Sequence, residues 1–225
     1  MEFKISRGNF LNGVQKVQGI IETKGAMPIL SHLLLTTENN EMGIQATDLE
    51  IGAKGSYESK IISKGSVALN ARKLFDILRE LPDQEVHVAL EENDGVTMKC
   101  GNSKFHLPGL PASDFPSLPE YSQDSIMEFR APLLKEMIRK TIFAISPDES
   151  RQALNGLLLE REGSRASMVG TDGHRLAMIH RPASKSGASG GETLSMIIPK
   201  KALNELLKLA EDDESTLSFS SKNNH

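Results

Sequence analysis

Apolar residues recur at helical spacing in four stretches of the chain, Ser6–Ile21, Asn70–Leu81, Ala131–Ile145 and Pro199–Ala210. That spacing predicts four amphipathic helices, each with one face turned to a core. Between them the pattern shortens to strand-like segments. "EVHVALEENDGVTMKC" reads as two alternating strands around an Asp-Gly turn.

The pattern is written twice. "MPILSHLLLTTENNEMGIQATDLEIGAK" from Met27 and "RQALNGLLLEREGSRASMVGTDGHRLAM" from Arg151 align at a constant shift of 124. Leu30 falls on Leu154, Leu33–Leu35 on Leu157–Leu159, and Thr47-Asp48 on Thr171-Asp172. The same shift lays Ile5 on Phe129, Phe10 on Leu134 and Val14 on Ile138. Further on, "VALNARKLFDILREL" resembles "MIIPKKALNELLKLA" at a shift of 129, the five extra residues falling in "SKSGASGGE". Duplication of this kind points to two domains of one α+β design, each reading strand, helix, strands, helix, strands.

Prolines at 108, 111, 116 and 119 forbid a helix between the copies and favour an extended connector. The boundary is expected near residue 122, giving domains 1–122 and 123–225. The first copy continues past its second helix through two further strands, whereas the second stops at "STLSFSSKNNH". The middle domain is therefore expected to be incomplete at its C-terminal end, since a sheet without its last strands exposes an edge.

Composition narrows the function classes. A charged fraction of 25% with 38% hydrophobic residues is that of a soluble globular chain. The start "MEFKISRGNF" lacks the apolar core of a secretory signal, so an intracellular, cytoplasmic protein is expected. No apolar run reaches the roughly 18 residues of a membrane span. The single Cys100 excludes a disulfide framework and a cysteine-built metal site. With no Trp and two Tyr, stacking platforms for single-stranded nucleic acid are not expected.

Charge is unevenly placed. The four helical stretches carry +2, +1, +2 and +2, so a total of −4 leaves −11 for the strands and loops. Exposed Lys and Arg are common on helices, but a positive balance on all four, in duplicated positions, suits a phosphate backbone bound without base reading. The local field then matters more than the net charge.

The candidate chemistry sits in "GTDGHRLAMIH" (170–180), which sets Asp172, His174 and Arg175 within four positions. Asp172 and His174 could be two ligands of a metal site, but no third ligand stands at a suitable spacing. They could be the acid–base pair of a metal-dependent DNA-processing hydrolase, but no nucleophile or oxyanion device is signalled. The earlier copy keeps Thr-Asp and lacks the His and Arg. Thr-Asp is thus read as a turn-capping pair, and only the added Gly-His-Arg asks for a functional account. "SGASGG" lacks the Lys-Ser/Thr ending of a phosphate loop and reads as a linker.

Together "MPILSHLLL", "ATDLEI", "NARKLFDILRELP", "LPGLPASDFPSLP", "LNGLLLE" and "TDGHRLA" resemble the bacterial DNA polymerase III β subunit, the β sliding clamp, over its first domain and most of its second. The resemblance implies a DNA clamp fold whose repeated domains each pack two helices on antiparallel sheets, with a third domain that has no counterpart in this chain. It implies a non-catalytic, cofactor-free processivity factor. As a ring-shaped homodimer it would encircle double-stranded DNA and tether the replicative polymerase. Lys24, Arg72, Arg151 and Gln152 are the DNA-contacting positions it implies, although Asp148 and Glu149 in the same loop would weaken the last two. Lys73, Lys200 and Lys201 are added from charge and helix position. Leu154, Thr171, Gly173, His174, Arg175 and Leu176 match a pocket for short peptides of the polymerase III catalytic subunit, clamp loader and repair proteins.

Overall fold

A computed structural model describes residues 1–21, 27–118, 127–148, 150–182, 194–210 and 216–219. The chain divides into two compact units, Met1–Leu118 and Pro119–His225. Position 122, where the boundary is expected, lies outside the described residues, as does Lys24.

Unit 1 runs β1 (Glu2–Ser6), α1 (Arg7–Gln18), β2 (His32–Glu38), β3 (Glu41–Thr47), β4 (Gly52–Glu58), β5 (Lys60–Ser63), β6 (Gly65–Asn70), α2 (Ala71–Glu80), β7 (Glu85–Leu90), β8 (Val96–Cys100), β9 (Ser103–Leu107) and β10 (Gly109–Leu110). Its strands form two antiparallel five-stranded sheets, ordered β5-β1-β7-β8-β9 and β10-β6-β2-β3-β4. Unit 2 runs β11 (Met127–Arg130), α3 (Ala131–Arg139), β12 (Gly156–Glu162), β13 (Arg165–Thr171), β14 (Leu176–Pro182), β15 (Leu194–Pro199), α4 (Lys200–Leu209) and β16 (Thr216–Phe219). Here the described sheets are β11-β16 and β14-β13-β12-β15.

The shifts seen in the sequence are kept by the elements. Strands β2, β3 and β4 begin and end 124 residues before β12, β13 and β14, and α2 lies 129 residues before α4. Hydrophobic spacing dictates this outcome. Helix α1 buries Phe10, Gly13, Val14 and Val17 at the i, i+3, i+4, i+7 positions of one helical face, and α3 buries Ala131, Leu134, Met137 and Ile138, at i, i+3, i+6 and i+7 of its own. Leu33 and Leu35 of β2 with Met42, Ile44 and Ala46 of β3 share one core cluster with α1, which extends to Phe3 of β1, Leu74 and Leu78 of α2, and Val86 and Val88 of β7. Gly13 leaves no room for a side chain, since a Cβ there would lie 2.6 Å from Ile44 Cδ1 and 2.7 Å from a Tyr57 ring carbon. Unit 2 repeats the plan with Leu157, Leu159, Ala166 and Met168 under α3.

Local chemistry sets the ends. Ser6 Oγ accepts the Asn9 N–H to start α1, and Asn70 Oδ1 accepts that of Lys73 to start α2. The third helix is shorter than the expected Ala131–Ile145. It closes at Arg139 because the buried Thr141 hydroxyl donates to the Met137 carbonyl at 2.8 Å, after which a 3-10 turn spans Ile142–Ala144. The proline-rich connector is extended only in part, with a 3-10 turn at Ala112–Asp114.

Candidate functional site

The turn between β13 and β14 is built from its own side chains. Thr171 Oγ1 donates to the Arg175 carbonyl at 2.7 Å and accepts the Gly173 N–H at 3.1 Å. Asp172 Oδ1 accepts the backbone N–H groups of His174 and Arg175, both at 2.9 Å, while Oδ2 takes the Arg175 Nε at 3.0 Å. The first copy has the same bonds. Thr47 Oγ1 donates to the Ile51 carbonyl at 2.8 Å and accepts the Leu49 N–H at 3.0 Å, and Asp48 Oδ1 accepts the N–H groups of Glu50 and Ile51. Gly173 has φ +89 and its counterpart Leu49 φ +76, so both hairpins turn through the left-handed region.

This geometry decides how Asp172 behaves. The His174 and Arg175 backbone N–H groups, helped by the Arg175 guanidinium, hold its carboxyl at about 2. Both oxygens are engaged, and the bond to His174 runs through the backbone, not the ring. Asp172 is therefore a turn scaffold and cannot serve as the acid–base partner of His174. Among the described residues no group of three or more His, Cys, Asp or Glu side chains could hold a metal ion.

What the turn presents is apolar and cationic. Arg175 Nη2 donates to the Phe143 carbonyl at 2.7 Å, and its guanidinium lies 5.8 Å from the centre of the Phe143 ring. Phe143 is 58% exposed and Leu176 64% exposed. The His174 ring has no hydrogen bond or ion pair among the described residues. Arg151 also stands here, for a Cβ at Gly173 would lie 3.8 Å from its Nη1. The Arg151 carbonyl accepts the N–H of half-buried Leu154, which closes the 3-10 helix Gln152–Leu154. Arg151 Nε lies 3.5 Å from Asp148, whose carboxyl is held below its usual range chiefly by the Ser150 hydroxyl. Thr171, Gly173, His174, Arg175 and Leu176 thus form one continuous feature, with Arg151 beside it. Phe143 is the residue that sequence reasoning misses. It lies in the 3-10 turn Ile142–Ala144 that follows α3 and is 58% exposed, and only the tertiary contact with Arg175 marks it.

The helical cations fall into two groups. In unit 1, α1 packs beside α2, and Lys16, Arg72 and Lys73 are exposed with no ion-pair partner among the described residues. Arg7, counted above in the positive balance, is instead bound to the end of α2. Its Nε donates to the Leu78 carbonyl at 2.8 Å and its Nη2 to the Arg79 carbonyl at 2.7 Å. In unit 2, Lys200 is exposed and Lys201 half-buried. Lys140 pairs with Glu136 at 2.7 Å, and Arg181 grips the same carboxylate. Arg181 first, then Lys140, lowers the Glu136 carboxyl to about 2.

Comparison with known proteins agrees over the length of the chain. Residues 1–119 match the family described as "DNA polymerase III beta subunit, N-terminal domain", and residues 128–225 the family described as its "central domain". A protein named "Beta sliding clamp" from Chlamydia muridarum is 34% identical over 97% of this chain and 59% of its own length. One of the same name from Vibrio cholerae is 35% identical over 95% and 58%. The crystal structure of the DNA polymerase III subunit beta from Pseudomonas aeruginosa superposes with a TM-score of 0.89 at 33% identity, covering 97% of this chain and 59% of that one. The chain therefore spans somewhat under three-fifths of the length of these relatives. No helix among the described residues is long and apolar enough to cross a membrane.

Proposed function

The chain belongs to the DNA polymerase III beta-subunit family, and on that premise we propose that it supplies the first domain (1–122) and the middle domain (123–225) of a cytoplasmic sliding clamp. The longer protein closes as a homodimer around duplex DNA and tethers the replicative polymerase, a task that needs neither a cofactor nor a catalytic residue. The observation that carries this reading is the packed pair α1 and α2, with Lys16, Arg72 and Lys73 exposed and unpaired among the described residues. Loose phosphate contacts release counterions without gripping a base, which is what a protein that must slide requires.

Duplex binding by this chain should weaken steeply with salt. Changing Lys16, Arg72 and Lys73 to Glu should flatten the log–log salt slope by about 0.9 for each phosphate no longer neutralised. An unchanged slope would remove these residues from the DNA face. The longer protein, loaded on circular duplex, should stay in place and run off once the circle is cut.

Within this reading the Thr171–Leu176 turn, with Leu154, is one wall of a docking pocket for short peptides of the polymerase, clamp loader and repair proteins. Exposed Leu176, the His174 ring without a hydrogen bond or ion pair among the described residues, and the Arg175 head over Phe143 support it. Replacing His174 and Arg175 together by Ala should weaken such a peptide while sparing ring assembly.

A further inference from the structure

Unit 1 changes sheets at a corner, where β4 ends at Glu58 in one sheet and β5 starts at Lys60 in the other. Ser59 is the corner residue. Its N–H donates to the Asn40 carbonyl at 3.0 Å and extends the β3–β4 ladder by one pair. Ser59 is 8% exposed, and its hydroxyl oxygen is buried without a hydrogen-bond partner. Folded chains normally avoid that cost. Two residues earlier Tyr57 meets α1, since a Cβ at Gly13 would lie 2.7 Å from its ring. Strand alternation aims Ser59 the same way, toward the first turn of the helix, where Asn9 stands four residues before Gly13.

Between that turn and the corner lies a cavity of about 450 Å³, and Ser59 and Asn9 both line it. A single water takes up about 30 Å³, so the space is larger than one trapped water needs. Apart from Ile5 its lining is polar or charged. Lys4 and Lys60 stand directly opposite each other across β1 and β5, a like-charge pairing that sheets disfavour. Lys4 is matched by Glu85 at 3.0 Å. Lys60 and Glu58, on either side of Ser59, have no ion pair among the described residues, and the side-chain amides of Asn9 and Asn40 have no hydrogen bond there. The cavity thus combines an unmatched cation, an unmatched carboxylate, an unsatisfied hydroxyl and the positive end of a helix.

We propose that this cavity binds a small zwitterion of the α-amino-acid class with a polar side chain. Its carboxylate sits at the first turn of α1, between Lys60 and the Ser59 hydroxyl, which donates to it, and its ammonium faces Glu58. Charge selects this class. A simple anion would meet Glu58 and Glu85, and a simple cation would meet Lys4 and Lys60, whereas a ligand of both signs finds a complement for each. With Ile5 as the one apolar residue in the lining, a hydrophobic ligand has no wall to rest on. None of these residues belongs to the proposed DNA face or to the Thr171–Leu176 turn.

The test titrates the 225-residue chain, with isotope-labelled amides, with L-glutamine as probe and with inorganic phosphate and putrescine as ligands of one sign. Saturable shifts are expected at Asn9, Ser59 and Lys60 with millimolar L-glutamine, and either comparator should bind about tenfold more weakly or worse. Glu58→Gln and Lys60→Gln should each weaken L-glutamine about tenfold, whereas Lys54→Gln, exposed on β4 outside the cavity, should not change it. Ser59→Ala should weaken binding while leaving the melting temperature unchanged or raised, because the lost hydroxyl has no partner in the free fold. Absence of shifts at these three amides would overturn the proposal. So would phosphate binding as tightly as L-glutamine, which would mark an anion site only, or Ser59→Ala lowering the melting temperature without touching affinity.

Discussion

Thr47–Ile51 and Thr171–Arg175 close the same hairpin corner with the same threonine and aspartate bonds, yet one continues Leu-Glu-Ile and the other Gly-His-Arg. In the first turn Ile51 packs against the core of its unit. In the second the equivalent Arg175 reaches out to the Phe143 carbonyl and ring. A turn held entirely by Thr and Asp leaves its remaining positions free to change. The first copy uses them for packing, and the second uses them to set a guanidinium over Phe143 and an imidazole in the turn, beside exposed Leu176. Framework and variable residues are therefore separate within a span of six.

Equivalent positions in the two units should respond differently to the same change. The largest difference is expected on the sheet faces. Ala68→Lys places a charge in a buried cluster with Phe115 and should cost about 3 kcal/mol or more of unfolding free energy in denaturant titration, while Ile197→Lys, at the equivalent but 48% exposed position, should cost well under about 1 kcal/mol. Next come the threonines. Thr47 is buried, so Thr47→Val leaves the Leu49 N–H without its partner and the Ile51 carbonyl with only the Asp48 N–H, and should cost about 2 kcal/mol, against about 1 kcal/mol for half-buried Thr171→Val.

The left-handed positions follow. Gly173→Ala meets nothing closer than Arg151 at 3.8 Å, so its cost of about 1 kcal/mol is conformational. Leu49→Gly relieves the same strain but loosens the unfolded chain, and a change within about 0.5 kcal/mol is expected. Equal costs at paired positions would break the comparison.

Acid sharpens it further. Because the folded Asp172 carboxyl sits at about 2, below the ordinary value of about 3.9, its contribution is fully present above pH ~4 and is lost as pH falls toward 2. Asp172→Asn should flatten the stability of unit 2 over that window. The slope that remains there comes from Glu136, held at about 2, and from Asp148, which is also lowered.

The repeat was legible because burial constrains spacing. Phe10 and Val14, or Leu134 and Ile138, must stay on one helical face whatever else changes. The Thr-Asp turn was legible because the duplicate isolates it from Gly-His-Arg. Three features were not legible, because each depends on a tertiary neighbour. Thr141 ends α3 early, and Phe143 beyond it meets Arg175, 32 residues away. Arg151, expected beside phosphate, stands next to Gly173 and near Asp148. Arg7 looks like one more helical cation, and its partners lie 71 and 72 residues away.

That last pairing makes charge a poor guide to the harm a substitution does. Arg7→Lys keeps the formal charge, but an ammonium has no planar fork with which to span two successive carbonyls. The end of α2 would lose one of its two anchors to the start of α1, and the neighbouring helices would gain latitude to slip along each other. Deleting the solvated cation of Lys16 would leave that alignment intact.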